Sequence, residues 1–290
     1  MPDNPQALPG QAFALPDHYL IALEGRDAAA FAQAQFMNDV KALADGHWQW
    51  SGWLTPKGRV IALFALLRLS DQSIRLLLPD ADATALVESL KRFVFRSKLT
   101  IALSEDQVIE GRFAAPTQAR GSAIGGDEAS GLELDFSGEG GARSLRVVAG
   151  PGAAADEAAQ ARWAQADVAH GLPRLPASQR EQWTPQQLSL ERLRAFSVKK
   201  GCYPGQEIVA RTHFLGKAKR GLVLFESPAE VAAGAEVRGE AAVLGTVASS
   251  ASAENRHLAL AVLPLDRAEG PASIDGHAVS EQALLAGLER

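Results

Sequence analysis

The side chains best equipped for chemistry fall in one stretch, residues 199–220, KKGCYPGQEIVARTHFLGKAKR. It contains Cys202, the single cysteine of the chain. A thiol attacks and ligates as its thiolate, and neighbouring cations lower its pKa; Lys199 and Lys200 precede Cys202 directly. Gly201, Pro204 and Gly205 surround Cys202 and Tyr203. Glycine admits positive φ and close backbone approach, and proline fixes a turn. The thiol is therefore expected on a tight loop between a basic helix end and a strand beginning near Ile208. Across residues 191–220, eight basic residues (Arg192, Arg194, Lys199, Lys200, Arg211, Lys217, Lys219 and Arg220) stand against two acids, Glu191 and Glu207, a local charge of +6 in a chain of net charge −5. A basic focus on an acidic protein points to an anionic ligand met at one place. The same features also suit a solvated basic face and an inert buried thiol.

The rest of the composition narrows the chemistry. One cysteine forms no internal disulfide and cannot alone build a zinc or iron–sulfur site, which takes about four ligands; no metal site is expected. At 47% hydrophobic and 22% charged residues over 290 positions, the chain reads as two or three globular units. Its start, MPDNPQALPGQAFALPD, lacks the basic and apolar regions of a secretory signal. No uncharged apolar stretch approaches the roughly 20 residues of a membrane helix. A lone thiol fits a reducing compartment, so a cytoplasmic protein without membrane association is expected. The overall acidity argues against direct nucleic-acid binding, and no phosphate loop or fixed-period repeat occurs.

Several elements must position the loop. Residues 18–23 read as a strand, and Asp27 as the N-cap of a helix over 28–36. Apolar runs at 60–69 and 74–78 read as buried strands. Asp80 or Asp82 caps a helix whose Leu86, Leu90, Phe93 and Val94 form one buried stripe, followed by a strand at 99–103. Gly-rich loops at 118–131 and 137–143 flank strands at 132–136 and 144–148. An Ala-rich helix is expected over 153–169, ended by Gly171 and Pro173, and a shorter helix over 186–196. Beyond 220, short apolar runs at 222–225, 243–247, 258–262 and 278–279 alternate with Gly and Pro, a pattern suiting a small barrel or sandwich.

The string from Lys200 through Gly201, Cys202, Tyr203, Pro204, Gly205, Gln206 and Glu207 to Arg211 resembles the KGCYxGQE…R signature of YgfZ-type proteins. Residues 23–40 (LEGRDAAAFAQAQFMNDV), 51–60 (SGWLTPKGRV), 171–190 and 244–263 resemble the same family in order. The resemblance covers nearly the whole chain. It implies an α+β fold like that of the glycine-cleavage aminomethyltransferase: two intertwined units, discontinuous in sequence, plus a C-terminal β-barrel around a central cavity. The expected division is 1–220, with a smaller unit near 51–105, and a barrel at 221–290.

The implied ligand is tetrahydrofolate or a derivative, whose anionic tail suits the basic segment. Its site would include Lys200, Gly201, Tyr203, Gly205, Gln206, Glu207, Arg211 and Arg220. Trp48, Trp50, Trp53 and Tyr203 are candidate walls for the pterin, with core packing as the alternative. The implied role is an accessory one in assembly or repair of iron–sulfur enzymes, including tRNA-modifying ones, through transient contact and with Cys202 as the functional, catalytic thiol. The alternative is an active folate-dependent aminomethyl or methyl transferase. In that enzyme an aspartate pair stands where the present chain has Ala62 and Leu63, neither able to exchange protons. Asp39 and Glu207 are the acids considered as substitutes.

Overall fold

The computed structural model describes residues 10–214, 216, 218–268 and 270–290. Lys217 and most of the expected loose N-terminal stretch, residues 1–9, lie outside them. A short β1 (Phe13–Ala14) is followed by β2 (Tyr19–Glu24), α1 (Ala28–Gln35), β3 (His47–Leu54), β4 (Val60–Ser70), β5 (Ser73–Leu78), α2 (Ala83–Lys91) and β6 (Thr100–Leu103). Strands β3-β4-β5-β2-β6 form one antiparallel sheet. The unbroken apolar run of β4 is explained by burial on both faces: Leu63, Ala65 and Leu67 enter the central core, while Ala62, Phe64 and Leu66 pack beneath α1 and α2. Asp82 caps α2, accepting from the Ala85 amide at 2.9 Å. Asp27 makes no side-chain cap on α1; its carboxylate instead accepts from the Lys98 amide at 2.7 Å. Leu86 and Leu90 are buried as expected, but α2 stops at Lys91 and Phe93 emerges at the surface.

Next come β7 (Gln107–Arg112), β8 (Gly125–Asp127), β9 (Gly131–Asp135), β10 (Ser144–Ala149) and α3 (Glu157–Ala169). These strands form a second sheet in the order β1-β7-β10-β9-β8. Because β1 precedes the whole first sheet yet pairs with β7, the two α+β units are interleaved. The helix expected over 186–196 is absent. That segment runs as successive turns, with positive φ at Ser189 (47°) and Arg194 (54°). The Ser189 hydroxyl there accepts from the Leu222 amide at 3.0 Å, an interaction with the barrel that the turn makes possible. The strand expected at Ile208 is instead a helix, α4 (Gln206–Phe214). Gly205, at φ +80°, turns the chain into it. Glu207 in its first turn and Arg211 and His213 in its last turn complement the helix dipole.

The remaining strands, β11 (Arg220–Ser227), β12 (Glu236–Arg238), β13 (Val243–Ala253), β14 (Arg256–Pro264), β15 (Ala272–Ile274) and β16 (His277–Gln282), close a six-stranded barrel. Val223, Phe225, Ala259, Ala261 and Leu263 fill it, whereas Leu222, Leu224, Leu258, Leu260 and Val262 join the central core outside it. After β16, residues 283–290 return to that core without further regular structure. Leu288 is buried, the Trp50 indole donates to its carbonyl at 2.8 Å, and the Arg290 guanidinium lies 5.5 Å from the centre of a Trp48 ring. Trp48 and Trp50 are therefore core residues, sealed by residues 283–290. Among the described residues no helix is long and apolar enough to cross a membrane.

Candidate functional site

Cys202 is exposed, and the residues around it are firmly anchored. The Lys200 ammonium donates to the carbonyls of Gln33 (2.6 Å), Phe36 and Asn38 (3.0 Å). Carbonyls at a helix C-terminus carry partial negative charge and lack intrahelical donors, so the cation satisfies them. Burial pushes the Lys200 pKa down to about 8, with Asp39 opposing. Lys200 Nζ also lies 4.8 Å from the centre of the Tyr203 ring, and the Tyr203 hydroxyl donates to Ser197 O at 3.3 Å. Burial raises that phenol to about 12. The Gln206 amide donates to Lys200 O at 3.3 Å, closing the loop on itself.

Gly205 sets the loop on the turn between β3 and β4. A Cβ there would lie 2.7 Å from both Gly58 Cα and Thr55 O. Gly58, at φ +69°, is itself covered by Ile208. Gly205→Ala adds a backbone clash to a left-handed conformation, and a loss of roughly 2–4 kcal/mol is expected from overpacking plus φ strain. Urea denaturation of the variant checks this; a change within 0.5 kcal/mol, roughly the level of an ordinary surface substitution, would show that the loop is not keyed into the turn.

Other members of the sequence-derived set face solvent or the barrel wall. Lys199, Gly201, Glu207 and Arg211 are exposed. Arg220 donates to the Leu244 and Val262 carbonyls in the barrel wall. Of the two acids considered as catalytic substitutes, Asp39 accepts from Gln33 Nε2 and the amides of Lys41 and Ala42, a structural turn. Glu207 is exposed rather than paired inside.

A second constellation was not anticipated. Asp167 on α3 is buried between two arginines: Arg143 Nη1 meets Oδ1 at 2.8 Å and Arg174 Nη2 meets Oδ2 at 3.0 Å. Burial alone would raise its pKa, but Arg143 and then Arg174 outweigh that and hold it below the ordinary carboxylate value. His18 is pushed down to about 3 by burial and by Arg174, against the pull of Asp167. Asp80 is pushed up to about 6 by burial, against Arg174. Phe136 lies among Trp48 (5.3 Å, stacked), Trp50 (5.5 Å) and Trp163 (5.7 Å), with the Arg143 guanidinium 4.6 Å from the centre of the Trp163 ring. Several buried polar atoms of these residues have no partner among the described residues: Arg143 Nε and Nη2, Arg174 Nε, Trp163 Nε1, Trp48 Nε1, His18 Nδ1 and Asp80 Oδ2. Such atoms are costly unless water or a ligand satisfies them. Two clefts flank Tyr19. One of about 380 Å³ is walled by Leu15, His18 and Leu20; the other, of about 460 Å³, is lined by Asp17, Asp80, Asp82 and Arg174. No sequence motif marks this cluster, whose members come from widely separated segments. None of the loop residues lines either cleft.

The glycine cleavage system aminomethyltransferase T from Bartonella henselae is similar over 97% of this chain and 88% of its own, with a TM-score of 0.70 at 16% identity. That likeness is one of fold, and it matches the interleaved α+β units and terminal barrel described above. No family model matches the chain. A tRNA-modifying protein YgfZ from Vibrio vulnificus (strain CMCP6) is 30% identical over 236 residues, covering 75% of this chain and 70% of the relative. One from Aliivibrio fischeri (strain ATCC 700601 / ES114) is 28% identical over 284 residues, 87% and 84% of the two chains. An uncharacterised protein from Haemophilus influenzae is 28% identical over 227 residues. This breadth of identity, and a cysteine loop standing in the same fold as the aminomethyltransferase, establish that the chain belongs to the YgfZ family.

Proposed function

We propose that the protein is a tetrahydrofolate-binding accessory factor for the assembly or repair of iron–sulfur enzymes, tRNA-modifying ones among them, with Cys202 as its working thiol. The observation that carries the reading is the contrast at the loop: Lys200, Tyr203 and Gly205 are buried and anchored, whereas Cys202 is presented to solvent. A lone exposed thiol suits a transient ligand to a partner's cluster and not a resident cluster, which takes about four cysteines. On this reading Lys200, Tyr203, Gly205 and Gln206 position the thiol, while Gly201, Glu207 and Arg211 lie on the face that a partner would meet. Arg220 supports the barrel.

On this reading folate is held at the buried constellation. A pterin offers ring nitrogen and carbonyl acceptors, and Arg143, Arg174 and Trp163 carry buried N–H donors without partners among the described residues, with Arg143 over the Trp163 ring. When bound, the reduced pterin would supply one-carbon or redox chemistry.

Titration calorimetry with tetrahydrofolate, run beside support of a dependent iron–sulfur enzyme in a strain lacking the native factor, tests both halves. Saturable heat is expected for the wild type and for Cys202→Ser, which should fold and bind normally yet give no support. Trp163→Phe keeps the ring in the core and removes one unsatisfied N–H. It should bind roughly 3–10-fold more weakly, the worth of one hydrogen bond. No heat from the wild type removes the folate half, and full support by Cys202→Ser removes the thiol half.

A second reading, folate-dependent aminomethyl transfer, has one observation in its favour. Asp80, poised at about 6 with Oδ2 unpartnered, could exchange protons at neutral pH. Against it, Ala62 and Leu63 are buried apolar side chains of β4. Formaldehyde release from an aminomethyl donor distinguishes the two, and none is expected.

A further inference from the structure

Residues 91–98, KRFVFRSK, follow α2 and combine four cations with two exposed aromatic rings. Phe95 is 78% exposed and Phe93 49%, whereas most large apolar side chains of this unit are buried. Phe93 is held in place, meeting Trp53 edge-on at 5.7 Å between ring centres. The Arg96 guanidinium lies 5.2 Å from the centre of the Phe95 ring, on a residue at φ +63°. Lys91, Arg92 and Lys98 are exposed beside them, Lys91 pairing with the exposed Glu88 at 2.9 Å. The strip also shares a foundation with the thiol loop: Trp53 bridges to Phe36, whose carbonyl accepts from Lys200, two residues before Cys202.

Phe95 does not serve the core and Phe93 reaches it only at the edge of Trp53, since α2 already buries Leu86 and Leu90 against its sheet. The core of a protein–protein interface is depleted of charge and apolar over a contiguous area. Here each ring is bracketed by cations instead. Flat rings for stacking, set among cations spaced along a chain, are what a single-stranded polyanion of bases requires. We propose that residues 91–98 form a docking strip for an unpaired RNA segment, with Phe95 and Phe93 as stacking platforms and Lys91, Arg92, Arg96 and Lys98 as phosphate contacts. This goes beyond the folate and thiol reading and does not depend on it. It runs counter to the expectation drawn from net charge, since a local basic strip can meet phosphates on an acidic molecule.

Fluorescence anisotropy with a labelled, unstructured oligoribonucleotide tests the strip on the intact protein. The wild type should bind in low salt, and a duplex of the same length should bind far more weakly because its bases are already stacked. Phe95→Ala should weaken binding by at least roughly five-fold, the low end of one stacking contact. Arg92→Glu combined with Arg96→Glu should flatten the dependence of log Kd on log salt by at least about one unit. All these side chains are exposed, so melting curves should coincide with that of the wild type. Equal affinity for duplex and single strand, an unchanged Kd in Phe95→Ala, or no binding by the wild type each overturns the proposal. Displacement of the RNA by a polyglutamate peptide, with Phe95→Ala indifferent to both, would mark an acidic protein surface as the occupant and likewise overturns it.

Discussion

Asp167→Ala is expected to cost about 3–5 kcal/mol of folding free energy, enough to unfold much of the population at growth temperature. The carboxylate is the only acid hydrogen-bonded to Arg143 and Arg174 among the described residues, and both arginines already keep nitrogens without partners. Removing it takes away the carboxylate hydrogen-bonded to both guanidinium groups and leaves Asp80 as the remaining buried acid acting on Arg174. The damage should spread, because the three residues join α3, the segment before β10 and the turn after α3. Urea denaturation followed by circular dichroism checks the value. A loss below about 1 kcal/mol, the size of an ordinary substitution, would mean that the arginines are neutralised by something other than Asp167.

The second large effect is a pair of opposed titrations that conceal each other in the wild type. His18 takes a proton only near pH 3 in the folded protein, against an ordinary 6.5. Between those values protons bind the unfolded chain preferentially, so this group alone makes stability fall as pH falls from 6.5 toward 3. Asp80 behaves oppositely. Its carboxyl is protonated below about 6 in the folded protein and below an ordinary 3.8 when unfolded. That group therefore adds stability as pH falls from 6 to 3.8. Between about pH 6 and 4 the two nearly cancel. Asp80→Asn should uncover His18: relative to the wild type, its stability should fall by about 2–3 kcal/mol from pH 6 to 4. His18→Asn should do the reverse, gaining on the wild type by on the order of 3–5 kcal/mol between pH 6.5 and 3. The difference between variant and wild type isolates each group from every other titration. Parallel stability–pH curves for wild type and both variants would sink the assignment.

Legibility in the sequence followed locality. The thiol loop was readable because its glycines, proline, cation and cysteine are contiguous, and each finds its use within or beside the loop. The strand β4 was readable for similar reasons and the α2 cap was narrowed to Asp80 or Asp82, and the barrel's apolar runs at 222–225 and 258–262 alternate as closure demands. The strand β3 was passed over because its burial on both faces erases any period of two. Leu188, Leu190 and Leu193 mimicked a helix stripe, and they are indeed buried, but within turns whose shape is dictated by contact with β11. The cluster of His18, Asp80, Arg143, Asp167 and Arg174 had no local signature at all. Each is an ordinary charged or polar residue in its own segment, and only the interleaving of the two units and the barrel brings them together.

That interleaving also has a consequence for synthesis on the ribosome. The Trp50 indole finds its acceptor at Leu288, 238 residues later, and Arg290 reaches the Asp135 carbonyl, 155 residues back. The central tryptophans therefore emerge long before residues 283–290, which seal them. Until residues 283–290 arrive, the nascent chain carries an open aromatic face, and contacts of such sequence separation are slow to form. A trigger-factor-like holdase should therefore crosslink to stalled chains ending before residue 283, and release them once the last segment has cleared the exit tunnel.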